Sequence, residues 1–522
     1  MIGSSDVNIR HSIKTSKHKT LTNMRYDNNY MLLLWLTTFI LEALIFAMPT
    51  MWQMRRPLAA INSSLLAISV FILCLRLDIL PTTVLVLLSL YRIGNMGRLL
   101  KGRMNEQYLH LAVKRTSFWL FIMHAVFLTV IILPFSLMPY GALRILLVVQ
   151  AALALASVLI TLKNILKLRF SMPTTFLTDR ELPTVTVAIP ARNETDELQN
   201  CLRSVLANDY PKLEVVVLDD CSQSQTAEII KSFAHDGVRF VRGDKPAERW
   251  LAKNQAYQKL YQESAGELIL FCGVDVRFGS TAIRSMVNLL QAREKSMLSV
   301  LPVRFMGSPM TALIQPIRYW WELSLPRRLF NRPAVLSTCW IIGREDLARH
   351  GGFTAVSHSI LPEAFFAREL IKSDQYSFVR SSAELEVQTT KNFHEQYTTA
   401  IRSRYPQLHK RPEWILLLTT FNVVAMLLPF GLLILHHWWP LTGLGLPLLT
   451  ICLWTIGHVL IVSSTDPSNA LLALLTFPIA VVTEVIVSYI SMVQYEFFTV
   501  EWKDRNICIP VMHVIPHLPK MQ

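Results

Sequence analysis

The stretch "PTVTVAIPARNETDELQNCLRSVLANDYPKLEVVVLDDCSQSQTAEIIKSF", residues 183–233, decides the fold because it writes one structural unit twice. Val185 to Ile189 is a short apolar run closed by a proline-containing turn. Leu198, Cys201, Leu202, Val205 and Leu206 then recur at the i, i+3, i+4, i+7, i+8 spacing of a helix with one face on a sheet. Leu213 to Leu218 repeats the strand, two acids stand at its carboxyl end, and a second helix begins near Thr226. "VRFVRGD" (238–244) supplies a third strand, and "RWLAKNQAYQKLYQESAGELILFCGVDV" (249–276) adds a helix and a fourth strand, Leu268 to Cys272. Strand and helix alternating in this way predict a mostly parallel, doubly wound sheet.

In such sheets ligands bind beyond the carboxyl ends of the strands. Three of those ends are polar here: Arg192, Asn193 and Glu194 after the first strand, Asp219, Asp220 and Ser222 after the second, Asp275 after the fourth. Strand-end capping would explain any one of them. Together they suit a nucleotide, because carboxylates accept from base N–H or ribose hydroxyl groups and one carboxylate can hold a divalent ion.

Outward from this stretch the chain becomes apolar. Over 522 residues, 52% hydrophobic content is too high for a wholly soluble protein and predicts a polytopic membrane protein. Candidate spans are Met31 to Met48, Leu58 to Leu75, Phe118 to Phe135, Ala142 to Leu162, Ile415 to Leu435, Leu441 to Val462 and Leu471 to Tyr489. The shorter run Ile79 to Tyr91 reads as re-entrant or as an eighth span. The expected organisation is a basic tail (1–30), an N-terminal membrane block (31–162), a soluble domain (183–408), a C-terminal membrane block (413–495) and a tail (496–522). Arg10, Lys14, Lys17, Lys19 and Arg25 place the N-terminus in the cytoplasm, and four spans return the chain there, so the soluble domain is expected to face the cytoplasm. No cleaved signal peptide is expected. The seven cysteines form no C-x-x-C pair, which argues against a zinc site or a disulfide framework. Much of the net charge of +14 flanks the spans, at Lys163, Lys167, Arg169, Lys410 and Arg411, and reads as contact with membrane lipids rather than nucleic acid.

The motifs "VAIPARNE", "VVVLDDCS", "RWLAKNQA", "AGELILFCGVDV" and "GGF", in this order, resemble the membrane-embedded family-2 glycosyltransferases, in particular the ceramide- and hopanoid-glucosyltransferase-like branch. The resemblance implies a GT-A-type (Rossmann-like) α/β catalytic domain inserted between two transmembrane blocks, and an inverting transfer of a sugar from a nucleotide-sugar donor to a lipid or membrane-associated acceptor. It assigns Pro190, Asn193, Glu194, Asp219, Asp220, Ser222, Lys253 and Asn254 to the nucleotide, with Lys253 at the diphosphate, and Asp275 to Mg²⁺ or Mn²⁺. Where the family carries its general base, in a helix after "GGF", this chain has Glu363. Three departures stand out. Gly273 replaces the first acid of Asp-x-Asp, Pro362 precedes Glu363 where a second acid is usual, and Thr399 and Ala400 fall where Q-x-x-R-W has Arg and Trp after Gln396. Arg402 or Arg404 would then serve the diphosphate from a neighbouring turn. The tail "TVEWKDRN" resembles the W-K-x-R element of lipid-directed relatives and brings Trp502 and Arg505 into consideration, although three full C-terminal spans would leave it on the opposite side. A domain that holds a nucleotide-sugar without turnover is the alternative reading.

Overall fold

A computed structural model describes residues 55–74, 140–171, 176–247, 250–304, 308–325, 333–408, 412–434, 444–497 and 500–508 apart from 504, with Lys410 and scattered residues between 38 and 97. Two compact units divide the chain: residues 1–143 with 411–418, and residues 144–410 with 419–522.

In the first unit, helix α1 (Arg55–Cys74) takes in all but the last residue of the expected span Leu58 to Leu75. All of the expected span Met31 to Met48 except Thr38, Leu41 and Glu42, the whole of Phe118 to Phe135, most of Ile79 to Tyr91, and the basic N-terminal tail lie outside the described residues. Glu42, a lone acid in the sequence, is buried and ion-paired with Arg92.

The second unit opens within helix α2 (Tyr140–Lys167), at Arg144; the helix is apolar on all sides and therefore suited to lipid. The α/β domain follows as β1 (Val185–Ala191), α3 (Asp196–Leu206), β2 (Leu213–Asp219), α4 (Thr226–Ser232), β3 (Val238–Arg242), α5 (Ala252–Glu263), β4 (Leu268–Cys272), β5 (Val276–Phe278), α6 (Ala282–Ala292), β6 (Met297–Leu301), α7 (Thr311–Ser324), β7 (Cys339–Gly343), α8 (Arg344–Arg349), α9 (Pro362–Leu370), β8 (Tyr376–Arg380), β9 (Val387–Thr389) and α10 (Phe393–Gln407). Seven strands form one sheet in the order β3-β2-β1-β4-β7-β6-β8. The repeated units produce the parallel half, with β1 flanked by β2 and β4 in register at Val187↔Val215 and Val187↔Leu270. The other half is mixed rather than parallel, because β7 runs antiparallel to both β4 and β6. Its residues, Cys-Trp-Ile-Ile-Gly, are apolar like those of a parallel strand, and direction is fixed by connections, not by composition. Core side chains cover both faces. Leu198, Cys201, Leu202 and Val205 of α3 pack on one, and Tyr257 and Leu260 of α5 on the other.

After the domain, α11 (Pro412–Phe421) and α12 (Leu428–Ile434) join through a widened π turn at Asn422–Leu427, where the Gln150 amide donates to the Val424 carbonyl at 2.6 Å. Then come α13 (Gly445–Thr465), α14 (Ala473–Phe497) and a hairpin of β10 (Val500–Trp502) and β11 (Arg505–Cys508). Among the described residues, four helical segments are long and apolar enough to cross a membrane: 144–167, 414–434, 445–465 and 473–495.

The last of these behaves unlike the others. Phe477 and Val481 pack against Ala154, Ala425, Met426 and Trp454 of the apolar helices, but the second half of α14 is fastened to the α/β domain. Glu484 accepts from the Arg404 guanidinium at 2.7 Å, Ser491 Oγ accepts from the Tyr405 N–H at 3.0 Å, and Tyr495 OH donates to the Arg402 carbonyl at 2.6 Å. At the other end of α14, the turn that precedes it is tied to the domain through Thr311 Oγ1 and Asp466 at 3.0 Å.

Candidate active site

Strand order sets the carboxyl ends of β2, β1 and β4 side by side, and most of the expected site residues gather there in two groups. At β1 and β2 they brace one another. Pro190 sits within the sheet opposite Leu218. Asn193 takes a left-handed φ of 49°, a conformation Asn tolerates, its N–H donates to Ser222 Oγ at 3.0 Å, and its side-chain oxygen accepts from the Gln223 N–H at 2.9 Å. Asp219 Oδ1 accepts from the Ser222 N–H at 3.2 Å, and both Asp219 and Asp220 are buried. The two turns are thus locked together before any ligand arrives.

Glu194 is ion-paired with Lys503, whose amine also donates to the Arg192 carbonyl at 2.8 Å. Arg192 returns the contact, donating through Nε to the Lys503 carbonyl at 2.8 Å and through Nη1 to the carbonyls of Asp220 and Cys221. Burial and the Arg192 charge draw the Lys503 amine down to about 8. The hairpin after α14 therefore reaches the end of β1. Its turn residue Lys503, which lies between the Trp502 and Arg505 of the sequence reading, brings its side chain to Glu194.

The second group surrounds β4 and α9. Asp275 accepts from Thr389 Oγ1 at 3.3 Å and lies 3.3 Å from Lys391 Nζ. A Cβ at Gly273 would stand 2.4 Å from Asp275 Oδ1, so the glycine makes room for this carboxylate to fold back over the turn. No group of three or more His, Cys, Asp or Glu side chains capable of holding a metal occurs among the described residues. One carboxylate still fits a hard cation that arrives with a diphosphate, since Mg²⁺ usually takes one or two protein carboxylates and completes its shell with phosphate oxygens and water.

Lys253, on the first turn of α5, holds its ammonium 5.1 Å from the centre of the Tyr257 ring. Asn254 is fully buried and its amide donates to the carbonyls of Val356 (2.8 Å), Ser357 (3.1 Å) and Ser359 (2.7 Å). It is spent on pinning the loop that leads into α9. Beneath them Tyr257 packs edge-on to Phe271 and tilted to Phe353, while Phe271 stacks on Trp340, a rigid aromatic floor for the cleft.

Glu363 follows Pro362 at the start of α9, the position where proline's missing N–H costs nothing. It is 1% exposed, and its Oε2 has no hydrogen-bond partner among the described residues. Burial pushes its carboxyl above the usual range. The Lys253 charge, its own backbone N–H and the Arg402 charge pull in the opposite direction. The residue lines a small cavity of about 60 Å³ that opens outward, whose other walls include Leu336, Ser337, Thr399 and Ser403. Arg402 belongs to this electrostatic group. Arg404 faces the other way, towards Glu484. Gln396 is buried, with its amide on the Lys391 carbonyl at 3.3 Å.

Residues 186–351 match the model of "Glycosyl transferase family 2". Those residues form a family-2 glycosyltransferase domain. The match runs from β1 through α8 and stops short of Glu363, Lys391 and Arg402. The glycosyltransferase domain is similar to the probable glycosyltransferase YdaM of Bacillus subtilis, 28% identical over 33% of this chain and 44% of that protein. It is also similar to the 4,4'-diaponeurosporenoate glycosyltransferase of Staphylococcus aureus, 31% identical over 23% of this chain and 31% of that one. The chain thus spans less than half the length of these curated relatives. Among solved structures, the mannosyltransferase PcManGT from Pyrobaculum calidifontis, in complex with GDP-Man and Mn²⁺, is 16% identical with a TM-score of 0.39, over 66% of this chain and 97% of that one.

Proposed function

We propose that the chain is an inverting glycosyltransferase of the membrane, moving a sugar from a nucleoside-diphosphate sugar to a hydroxyl of a lipid or membrane-associated acceptor. The observation that carries the reading is Glu363: a buried carboxyl with an unpartnered oxygen, on the wall of a cavity and within the field of two cations. The acceptor hydroxyl gives its proton to the Glu363 carboxylate as its oxygen bonds to the anomeric carbon. The bond from that carbon to the diphosphate breaks, and its electron pair leaves with the diphosphate. Lys253 and Arg402 offset the charge that develops there. A divalent cation held by Asp275 and the donor phosphates would supply further charge neutralisation.

The cavity's far wall is α10, and α10 packs on the apolar α14, which supports a membrane lipid as the acceptor and fits the resemblance to the ceramide and hopanoid branch. We read α14 as lying along the membrane surface rather than crossing it. Two C-terminal crossings then return the chain to the domain's side, where Lys503 meets Glu194. On this reading the domain of residues 183–408 stands between two membrane blocks and faces the cytoplasm.

The Asp275–Lys391 contact supports a second reading, a domain that binds a nucleotide-sugar without turnover because its one metal-directed carboxylate is already engaged. Detergent-purified protein, offered a panel of nucleotide-sugars with Mg²⁺ or Mn²⁺, decides between them. Release of nucleoside diphosphate that disappears in Glu363→Gln is the outcome expected. Donor binding with no release, with or without membrane lipid, establishes the second reading instead.

A further inference from the structure

A second cavity, of about 470 Å³, lies at the opposite edge of the sheet from the nucleotide turns. Its floor is a one-residue bridge between Arg169, just past the end of α2, and Arg380, the last residue of β8, closed by the Arg380 N–H on the Leu168 carbonyl at 2.7 Å. The bridge sets Arg169 and Arg380 side by side in the lining of the cavity, close enough for the charge of one to act on the other. Among the described residues neither makes an ion pair or a side-chain hydrogen bond, and Arg380 Nε is buried with no partner. Glu384 lines the same cavity and is ion-paired to neither. Burial and the neighbouring Arg169 charge both act to lower the pKa of Arg380, as expected for a cation set beside another without a counter-ion. Ser463 and Ser464, on the last turn of α13, bring hydroxyl groups to the opposite wall.

The address of the cavity matters as much as its charge. Of the four helical segments long enough to cross a membrane, two end at its rim: α2 through Ile165 and Leu166, and α13 through Ser463 and Ser464. Leu166, 64% exposed, continues the apolar surface of α2 up to the arginines. A planar guanidinium fork binds phosphate oxygens in pairs, and basic pockets at the ends of membrane helices hold lipid headgroups. We infer that this cavity binds the phosphate headgroup of an anionic membrane lipid, seated on Arg169 and Arg380 with its acyl chains along α2. The inference rests on the reading of α2 and α13 as membrane spans and is independent of the transfer chemistry.

Native mass spectrometry of the detergent-purified full chain tests it, titrating phosphatidic acid, phosphatidylcholine and inorganic phosphate separately. Phosphatidic acid is expected to be retained in preference to phosphatidylcholine, and retention to fall roughly tenfold or more in Arg169→Gln/Arg380→Gln, the loss expected for charge-assisted hydrogen bonds. Arg169→Gln alone keeps the readout secure against misfolding, since this side chain is exposed, and should lose part of the effect. Equal retention by wild type and both variants overturns the site. Inorganic phosphate competing as well as the lipid overturns the lipid assignment. Carbonate extraction of membranes checks the span reading separately: protein released into the supernatant would refute the spans whatever the lipid titration shows.

Discussion

Replacing Glu363 by glutamine separates catalysis from stability, because the two respond to the same burial with opposite signs. The carboxyl is 1% exposed with one oxygen unpartnered, so burial favours its neutral form and raises its pKa above the ordinary value of 4.5. A folded pKa above the unfolded one means that the stability this group contributes is fully present below about pH 4.5 and is lost as pH rises through the folded value. Catalysis needs the ionised form and runs the other way. Activity should rise with pH along an acid limb displaced upward from that of an ordinary glutamate. In Glu363→Gln the turnover should fall by about 10²–10⁴, the worth of a positioned general base, or about 3–5 kcal/mol of barrier. Replacing a carboxyl whose ionisation burial opposes more strongly than Lys253 and Arg402 favour it should leave Tm at neutral pH unchanged or raised, each 1 kcal/mol moving it by roughly 2–4 °C in a domain of this size. Diphosphate release measured from pH 5 to 9, alongside thermal unfolding in the same detergent, supplies both numbers. Activity within about tenfold of wild type would refute the base assignment, and a lower Tm would show that the carboxylate is held for structural reasons.

Four other perturbations probe separate contacts. Chelation with EDTA should abolish diphosphate release and Mn²⁺ should restore it, with Asp275→Asn insensitive to both; undiminished release in EDTA would leave Lys391 as the cation that Asp275 serves. Arg404→Met should cost about 3–5 kcal/mol by stranding Glu484, and adding Glu484→Leu should recover most of it; a double variant that melts normally but binds no donor would place Arg404 at the diphosphate. Lys503→Ala should weaken donor binding more than turnover by loosening the Glu194 turn, so an unchanged KM would count against a role for the tail. Asn254→Ala frees three carbonyls of the loop before α9 and should lower kcat through misplacement of Glu363 while leaving donor affinity, read by equilibrium binding, largely intact.

The parallel half of the sheet was legible because β1 to β4 are apolar runs joined by helices with a one-sided stripe, and such units have only one common way to pack. The other half was not. The residues of β7 state that it is buried and say nothing of its direction. The site shows the same division. Asn193, Asp219, Ser222 and Asp275 stand in local motifs at strand ends and could be found by reading along the chain. Lys391 and Lys503 belong to no motif. They reach Asp275 and Glu194 only through packing, the second from 309 residues away. Arg402 and Arg404 were equivalent in sequence because the turn of α10 that separates them was unanchored. Once Glu484 is placed, Arg404 is committed to α14, and Arg402 is left beside Glu363.

The grip of Lys503 on the end of β1 carries a consequence for biogenesis. The ribosome makes Arg192 and Glu194 some 311 residues before the lysine that holds them, and α11 to α14 are translated in between. The donor turn therefore stays without its clasp until the last helix has been released and settled against the domain. On the proposed reading, insertion into the bilayer comes first and competence second, so a half-made chain in the translocon would have no finished pocket in which to consume sugar donor.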